Sequence, residues 1–526
     1  MKNILLTATL LGIAVFCCAE KRLNYKKLNK QAEKEYLVPI RPGYEGRNPF
    51  WNEYAIKFTY APAFDFPIEK EAVKYRFCIE AKGRELSFES KTPQTSLRTI
   101  WGKIPVGNVS LKVYAINKDG KLLQKVGERN FYKDFPFQGE YCKPKCPYKE
   151  AAIKAMLYMH HLPEVRCWTD SAVPNFQYTH YTYVNKIVSA VIRNETLVAK
   201  YVPSEREKAL QIADSAAVFL QRVSQPQGSP LAYFPPTYYK NYIASKEEEN
   251  QGTVMTRDPC YVIDAFLDLY DATQKEKYLQ FAVKIAQTYK KIQLEDGSFP
   301  IKYYIATGKP TNNRKSMLHP ILEIANRLQK QYGISEFVEM QNKAEKWMQN
   351  VAVQSFDMTG QFEDVSVNNV HPYENLTNCT AAPYASYLLN KSETTEEEME
   401  DAKDLIRLSE DQFVLWDVEY NEAGYRSLPT PCVLEQYRYR TPVDNSAANV
   451  ANAYLDLYEK TGDKLAYAKG CALINSIVNQ QNAQNGYIPT IWTTTRGRSN
   501  EKSVWFNCHY SSTKVILRIS ELEEKE

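Results

Sequence analysis

Apolar residues recur with a helical period over most of the chain after residue 147. In the segment 257–273, for example, Val262, Phe266, Leu269 and Tyr270 fall on one stripe, as expected for a helix with one buried face. Twelve segments share this pattern: 147–161, 179–193, 204–224, 257–273, 275–293, 315–332, 335–351, 373–390, 395–413, 443–461, 463–480 and 505–523. The second part of the chain is therefore predicted to be a large helical domain.

Turns that combine glycine with aromatic residues or proline interrupt these helices at regular intervals. They read "QGSPLAYFPP", "DGSFPIKYY", "TGQFEDV", "AGYRSLP" and "NGYIPTIW", and their glycines, at 228, 297, 360, 424 and 486, lie 62–69 residues apart. Segments 262–273 and 450–461 are identical at seven of twelve positions and lie about three such intervals apart. This spacing indicates a repeated helix pair. Each glycine is expected at a helix end, in a left-handed cap.

Six helix pairs predict a closed (α/α)6 toroid. An open solenoid is the alternative, but solenoids are usually built from many shorter repeats. In a ring, each glycine turn leads from an outer helix to the next inner helix, so all inner helices begin on one face. Helix N-termini attract anions. The connecting segments are therefore expected to surround one funnel that favours an anionic ligand.

The segment 37–140 has a different pattern. "AVKYRFCIEA" and "VSLKVYAIN" alternate apolar and polar residues, which is typical of strands, and "NKDGK" is a hairpin signal. The run "IWGKIPVGNVSLKVYAINKDGK" resembles the end of a fibronectin type III-like sandwich. We therefore predict a small β-sandwich domain at 37–140 and the toroid domain at 145–526.

The first nineteen residues predict a secretory signal peptide, with Lys2 followed by an apolar run. Cys17 and Cys18 at its end resemble a lipoprotein acceptor, and cleavage after Ala19 is the alternative. Residues 20–36 are polar and Lys-rich and predict a tether. The expected location is the periplasm or the outer membrane of a Gram-negative bacterium, after export across the inner membrane.

Composition narrows the class of function. The chain has 526 residues, of which 44% are hydrophobic and 24% charged, with a net charge of +4. This is typical of a folded protein and does not indicate a nucleic-acid partner. The 38 tyrosines favour binding clefts or helix interfaces. Nine cysteines beyond the signal region predict free thiols. No P-loop, dinucleotide fingerprint, HExxH or GxSxG motif is present, which removes several enzyme classes. The predicted enzyme uses no metal and no cofactor.

The fourth and fifth connections carry more carboxylate, His, Tyr and Arg side chains than helix capping requires. Glycoside hydrolysis needs one protonated and one ionised carboxyl group. Glu363 and Glu374 are predicted to be the acid and the base, with Glu435 as a third candidate. The alternative is β-elimination from a uronic acid, with Tyr437 or His371 as the base. A glycan-binding protein without catalysis is a third possibility.

The predicted partner is an acidic oligo- or polysaccharide. Arg438 and Arg314 are expected to hold its carboxylate, and tyrosine and tryptophan side chains to stack on its sugar rings. The candidate substrate-binding residues are Trp168, His180, Tyr238, Arg257, Arg314, Asp364, Asn375, Arg438, Tyr439, Trp505 and His509.

A sandwich followed by a six-hairpin ring with "GQFEDV", "YENLT" and "VLEQYRYRTPVD" resembles carbohydrate-active enzymes of gut Bacteroidota over about 145–520. Glycoside hydrolase family 154, whose members include β-glucuronidases, is the family it resembles. The resemblance implies a secreted hydrolase of terminal uronic acids. Similar rings occur in unsaturated glucuronyl hydrolases, heparinase-type lyases and glucuronyl epimerases, so the fold alone does not settle the reaction.

Overall fold

The structure is a computed structural model that describes residues 23–40, 51–240, 250–359, 370–417, 428–492 and 504–525. A first helix, α1 (Tyr25–Glu35), lies near the N-terminus. All twelve predicted helices follow within these ranges: α2 Tyr148–His161, α3 Val184–Tyr201, α4 Arg206–Val223, α5 Asp258–Thr273, α6 Glu276–Ile292, α7 His319–Tyr332, α8 Val338–Trp347, α9 Asn378–Leu389, α10 Glu396–Phe413, α11 Asp444–Thr461, α12 Lys464–Gln480 and α13 Phe506–Lys525.

The twelve helices form two concentric rings. Helices α3, α5, α7, α9, α11 and α13 each contact the next in that order, and α13 contacts α3, so the inner ring is closed. The outer helices α2, α4, α6, α8, α10 and α12 each pack on an inner helix. In α6, for instance, Tyr278, Phe281, Ala282, Ile285 and Tyr289 form the buried stripe. The (α/α)6 toroid predicted from the sequence is confirmed, and its closure excludes an open solenoid.

Two of the repeated glycines show why these turns need glycine, and the reason differs from the predicted helix cap. Helices α6 and α12 end at Ile292 and Gln480, several residues before Gly297 and Gly486. Both glycines have positive φ, +86° and +84°, and a Cβ on either would lie 2.2 Å from a backbone carbonyl of an outer helix, α8 or α2. Glycine is therefore required by the turn conformation and by close packing on a neighbouring helix. Gly360 and Gly424 lie outside the described residues.

A small sheet precedes the toroid. Strands β1 (Lys57–Phe58), β3 (Lys74–Ala81), β4 (Arg84–Ser90), β6 (Gly107–Ile116) and β7 (Leu122–Lys133) form one sheet in the order β1-β7-β6-β3-β4. Only β1 and β7 pair in parallel; the others are antiparallel, with Phe77 opposite Val113 between β3 and β6. β2 (Ala63–Phe64) pairs with β5 (Thr95–Ser96). The strand prediction is confirmed here, while the fibronectin-like arrangement stays a prediction.

Short strands also stiffen the connections between helices of the toroid. β8 (Thr253–Met255) pairs with β9 (Lys302–Tyr304), and β10 (Val414–Leu415) pairs with β11 (Cys432–Val433). The second pair matters for the site, because β11 leads into the segment that carries Glu435.

The N-terminal segment predicted to be a tether is partly folded onto the toroid. Helix α1 buries Leu28 and Ala32 and contacts α12. Its first turn is capped by Asn24, whose side chain accepts a hydrogen bond from the backbone of Lys27. The tether prediction is therefore wrong for residues 25–35, because the period of the apolar residues was hidden among lysines that remain exposed.

The nine cysteines of the described residues are all free thiols, as expected, although only Cys260, Cys432 and Cys508 are buried. In the same residues, no helix combines the length and the apolar character needed to cross a membrane. Cys17, Cys18 and the predicted signal peptide lie outside the described residues.

Candidate active site

The N-terminal ends of the six inner helices surround one cavity of 460 Å³. Each helix contributes one side chain at its start and another four residues later, which places the two about 6 Å apart along the helix axis. The six pairs, in ring order, are Lys186 and Ala190, Arg257 and Tyr261, His319 and Glu323, Cys379 and Pro383, Asn445 and Asn449, and Asn507 and Ser511. The inner helices therefore open onto a single site, as their connectivity predicted.

Glu323 is the carboxyl group that stands out in this cavity. On α7 the side chains of Ile321, Leu322 and Ile324 are buried between helices, so the helical period turns Glu323 toward the cavity, where it is exposed. It has no hydrogen bond or ion pair with any described residue. Desolvation deep in the ring, followed by the negative charge of Asp264, raises its pKa to about 8. The pKa of Glu323 is therefore shifted toward the range in which a carboxylic acid can donate a proton near neutral pH.

The floor of the cavity is a closed ring of ion pairs. Arg193 and Asp264 line the cavity seven residues below Lys186 and Arg257. The Arg193 Nε donates to Asp268 Oδ2 at 2.7 Å, and Arg327 donates to Asp264 Oδ1 at 3.0 Å and to Asp268 Oδ1 at 2.7 Å.

The ring is completed by the 3.6 Å approach of Arg193 Nη1 to Asp264 Oδ2. It ties together α3, α5 and α7, and it leaves Asp264 with its charge balanced by two guanidinium groups. A second carboxylate, paired with Arg193 and Arg327, therefore lines the same cavity as Glu323.

Glu435 reaches the cavity from the segment between β11 and α11. Its backbone carbonyl accepts hydrogen bonds from Thr377 Oγ1 at 3.0 Å and Asn378 Nδ2 at 2.9 Å, and its N–H donates to the carbonyl of Thr441 at 3.0 Å. The start of α9 thus fixes the backbone of this residue, and its carboxylate lines the cavity.

Two cations lie where the inner helices begin. Lys186 Nζ is 4.4 Å from the ring centre of Trp505 and 4.7 Å from that of Tyr183. Arg257 donates to the hydroxyl of Tyr261 at 2.5 Å. Together with the partial positive charges of six helix N-termini, these side chains favour an anionic group in this part of the cavity.

Aromatic side chains form one wall and the mouth. Trp505 stacks on His180 with ring centres 4.0 Å apart and on Tyr183 at 5.5 Å, and Tyr238 packs edge-on against Tyr183. Tyr439 is 43% exposed at the mouth. Because His180 lies under Trp505 and Tyr238 under Tyr183, these two residues support the wall, whereas Trp505 and Tyr439 line the cavity.

Four of the residues selected from the sequence therefore line the cavity: Glu435, Arg257, Tyr439 and Trp505. Their functional roles stay predictions. Glu363 and Asp364 lie outside the described residues.

Glu374, predicted to share catalysis with Glu363, does not line the cavity. It accepts hydrogen bonds from the backbone N–H of His371 at 2.9 Å and from Arg438 at 2.7 Å. The N–H of His371 and then the charge of Arg438 lower its pKa. A carboxylate stabilised in this way is a poor proton donor, and Arg438 is engaged by Glu374 rather than turned toward a substrate. These contacts do not favour either assignment, and the roles of Glu374 and Arg438 stay predictions.

The residues predicted for an elimination reaction are also placed elsewhere. Tyr437 is buried and donates its hydroxyl hydrogen to Gln412, and burial raises its pKa. Asn375 is buried and donates to Gln436 at 2.6 Å, and His371 is exposed outside the cavity lining. These positions favour structural roles.

Three predicted substrate-binding residues lie outside the cavity. Trp168 is fully buried and donates to the hydroxyl of Tyr181 at 2.8 Å. His509 is hydrogen-bonded to the carbonyl of Ala155 at 2.8 Å, and burial lowers its pKa to about 4. Arg314 lines a separate cavity of 210 Å³. The burial of the first two favours packing roles, and their predicted contacts with a substrate stay predictions.

Glu323 was not predicted from the sequence, because the candidate residues lie in the connections and the helices were expected to form the core. A usable signal existed. Polar residues four apart at the start of inner helices, such as His319 with Glu323 and Asn445 with Asn449, cannot all face apolar neighbours.

No cluster of three or more His, Cys, Asp or Glu side chains suited to a metal ion occurs in the ranges the structure describes.

No protein-family model matches the chain, and no curated protein matches it. Solved structures do show similarity. A family 76 glycoside hydrolase from a bovine Bacteroides thetaiotaomicron strain has a TM-score of 0.45 at 10% identity, covering 91% of this chain and 99% of its own.

A cellobiose 2-epimerase from Spirochaeta thermophila scores 0.47 at 9% identity over 67% of this chain and 89% of its own. An unsaturated glucuronyl hydrolase specific for heparin scores 0.45 at 11% identity over 72% and 98%. These similarities are too remote to assign an activity.

Proposed function

We propose that this protein is a glycoside hydrolase that releases a terminal uronic acid from a glycan. The observation that carries the proposal is Glu323, a carboxyl group with a raised pKa and without a partner among the described residues, in the same cavity as Glu435. One protonated and one ionised carboxyl group are the requirement for glycoside hydrolysis.

In this mechanism Glu323 donates its proton to the glycosidic oxygen as the bond to the leaving group breaks. Glu435 supplies the second carboxylate, which either attacks the anomeric carbon or removes a proton from the attacking water. Asp264 does not touch the substrate. Desolvation and then the negative charge of Asp264 raise the pKa of Glu323, and the arginines of the floor hold Asp264 in place.

The charge and shape of the cavity support an acidic sugar at a chain end. Lys186 and Arg257 offer positive charge beside the helix N-termini, where a sugar carboxylate would be stabilised. The ion pairs of Arg193 and Asp264 lie at the lower end of the cavity, which favours a glycan that enters with its chain end first. Trp505 and Tyr439 offer aromatic surface to the sugar rings.

We further propose export by the N-terminal signal and lipid attachment at Cys17 or Cys18.

The test is the release of uronic acid from a panel of oligosaccharides with different terminal uronic acids. Glu323→Gln and Glu435→Gln are each expected to lower kcat by about 10² to 10⁴-fold, because each removes one of the two required groups. Glu374→Gln is the matched control and is expected to keep wild-type activity. The wild-type rate is expected to fall as pH rises through the pKa of Glu323, since the acid must be protonated.

Two other outcomes would replace the proposal. A product with the ultraviolet absorbance of a conjugated double bond would mean elimination instead of hydrolysis. Binding of the oligosaccharides without any turnover, unchanged in Glu323→Gln and Glu435→Gln, would mean a glycan-binding protein.

A further inference from the structure

Three neutral polar atoms on the cavity wall are buried and have no hydrogen-bond partner among the described residues. They are Ser189 Oγ on α3, His319 Nδ1 on α7 and Asn507 Oδ1 on α13. Ser189 and His319 are only 1% and 7% exposed. Buried polar atoms in folded proteins are almost always paired, so each of these three requires an explanation.

The fold pairs comparable groups where they only serve packing. Ser512, on the same helix as Asn507, is equally buried and donates to Asp444 Oδ2 at 3.0 Å. His509 bonds through Nε2 to the carbonyl of Ala155 at 2.8 Å, although its Nδ1, like that of His319, has no partner among the described residues. Some buried atoms elsewhere in the protein also lack a partner, but Ser189, His319 and Asn507 all belong to the lining of one cavity, so a molecule bound there would lie beside them.

The chemistry of the three atoms limits the kinds of functional group that the bound molecule can present to them. A serine hydroxyl both donates and accepts, and the amide oxygen of asparagine accepts. His319 is neutral, because burial and then the charge of Arg257 lower its pKa to about 3. A neutral imidazole also offers one donor and one acceptor. None of the three atoms carries a charge, so they suit hydroxyl groups better than a carboxylate.

We propose that Ser189, His319 and Asn507 are the hydroxyl-binding residues of the cavity, and that they recognise the hydroxyl groups of a pyranose ring. This inference rests on the proposed function for the class of ligand, a sugar. It adds an orientation: the hydroxyl-bearing edge meets these three residues, and the anionic group meets Lys186 and Arg257.

The proposal makes stability and affinity change in opposite directions. Removing an unpaired buried polar atom relieves the ligand-free protein of a desolvation penalty. Removing a hydrogen-bonded group that stabilises the packing instead lowers the stability of the protein. Ser189→Ala is therefore expected to keep or raise the Tm of the ligand-free protein and to lower sugar affinity about threefold to tenfold. Ser512→Ala, the matched control, is expected to lower the Tm and to leave affinity nearly unchanged.

The same contrast applies to the two histidines. His319→Phe is expected to keep or raise the Tm while sugar affinity falls about tenfold. His509→Phe is expected to lower the Tm because its hydrogen bond to the carbonyl of Ala155 is lost. Tm is measured by thermal unfolding without ligand, and affinity by calorimetry on the full chain with D-glucuronate and with D-glucose as probes.

The inference is overturned if Ser189→Ala and His319→Phe lower the Tm as much as their controls do, if they leave affinity for both sugars unchanged, or if wild type binds neither sugar. Failure of the proposed function looks different. Sugar binding that weakens in these variants, in a protein without turnover, would reject the hydrolase and retain the hydroxyl-binding residues.

Discussion

A buried carboxylate, Glu410 at the end of α10, joins the N-terminal region to the toroid. It is fully buried, and burial opposes its ionisation, but the charge of Lys469 and several hydroxyl groups lower its pKa. Its two oxygens accept hydrogen bonds from Tyr36 at 2.6 Å, Trp416 at 2.9 Å, Tyr60 at 2.8 Å, Tyr454 at 2.6 Å and Lys469 at 2.8 Å. These donors come from the segment after α1, the sheet region, and three parts of the toroid.

Removing the charge of Glu410 should therefore destabilise the protein strongly. In Glu410→Gln the amide has the shape of the carboxylate, but it leaves the buried ammonium of Lys469 with only Glu35, at 3.3 Å, and turns a donor toward other donors. Breaking a buried ion pair in this way costs about 3–5 kcal/mol. Tyr454→Phe removes a single hydrogen bond to the same charge and should cost about 1.5–3 kcal/mol.

Urea unfolding followed by tryptophan fluorescence measures both changes, and Trp416 lies in direct contact with the carboxylate. The control is Glu128→Gln, which removes an exposed ion pair with Lys125 and should not shift the midpoint measurably. If Glu410→Gln behaves like that control, or costs less than Tyr454→Phe, the hydrogen-bonded charge is not what attaches the N-terminal region.

Three further predictions follow from other parts of the structure. Gly486→Ala should destabilise by at least ~2 kcal/mol in thermal unfolding, since its Cβ would meet a backbone carbonyl at positive φ, whereas Gly228→Ala, where space is open, should not. Burial opposes protonation of His160, but the carboxylates bonded to it raise its pKa. The stabilising contribution of His160 should therefore be present at low pH and be lost as pH rises through that raised pKa. The difference in Tm between wild type and His160→Gln should shrink over the same pH range. Asp264→Asn should lower the pKa of Glu323 and move the alkaline limb of the activity profile to lower pH. An unchanged limb would show that Asp264 does not influence the pKa of Glu323.

Much of the fold could be predicted because the signals are local and repeated. All twelve helices were found, but several bounds differ. The helix predicted to begin at residue 373 begins at Asn378, because Thr377 pairs with Gln436 across the loop that carries Glu435. Such a pairing joins segments far apart in sequence. No local pattern reports it.

The candidate site was less predictable, for a related reason. A carboxylate in the sequence looks the same whether it lies on a rim, as Glu374 does, or deep in a ring, as Glu323 does. Its chemistry depends on desolvation and on neighbours such as Asp264, which come from other helices. The sequence therefore predicted the face on which the inner helices begin and part of the cavity lining, including Glu435 and Arg257, but not Glu323, whose pKa is raised to about 8.

By itself the sequence determined the helices, their pairing into six hairpins and the face on which the inner helices begin. The reason is that apolar period, glycine spacing and connectivity follow directly from the order of residues along the chain. Only the tertiary structure decided which polar side chains meet in the cavity, because that depends on how far each inner helix is rotated about its own axis when the ring closes. Packing against the two neighbouring inner helices and one outer helix sets this rotation for α7 and turns Glu323 inward, whereas Glu374 lies in the segment before α9, outside the cavity lining.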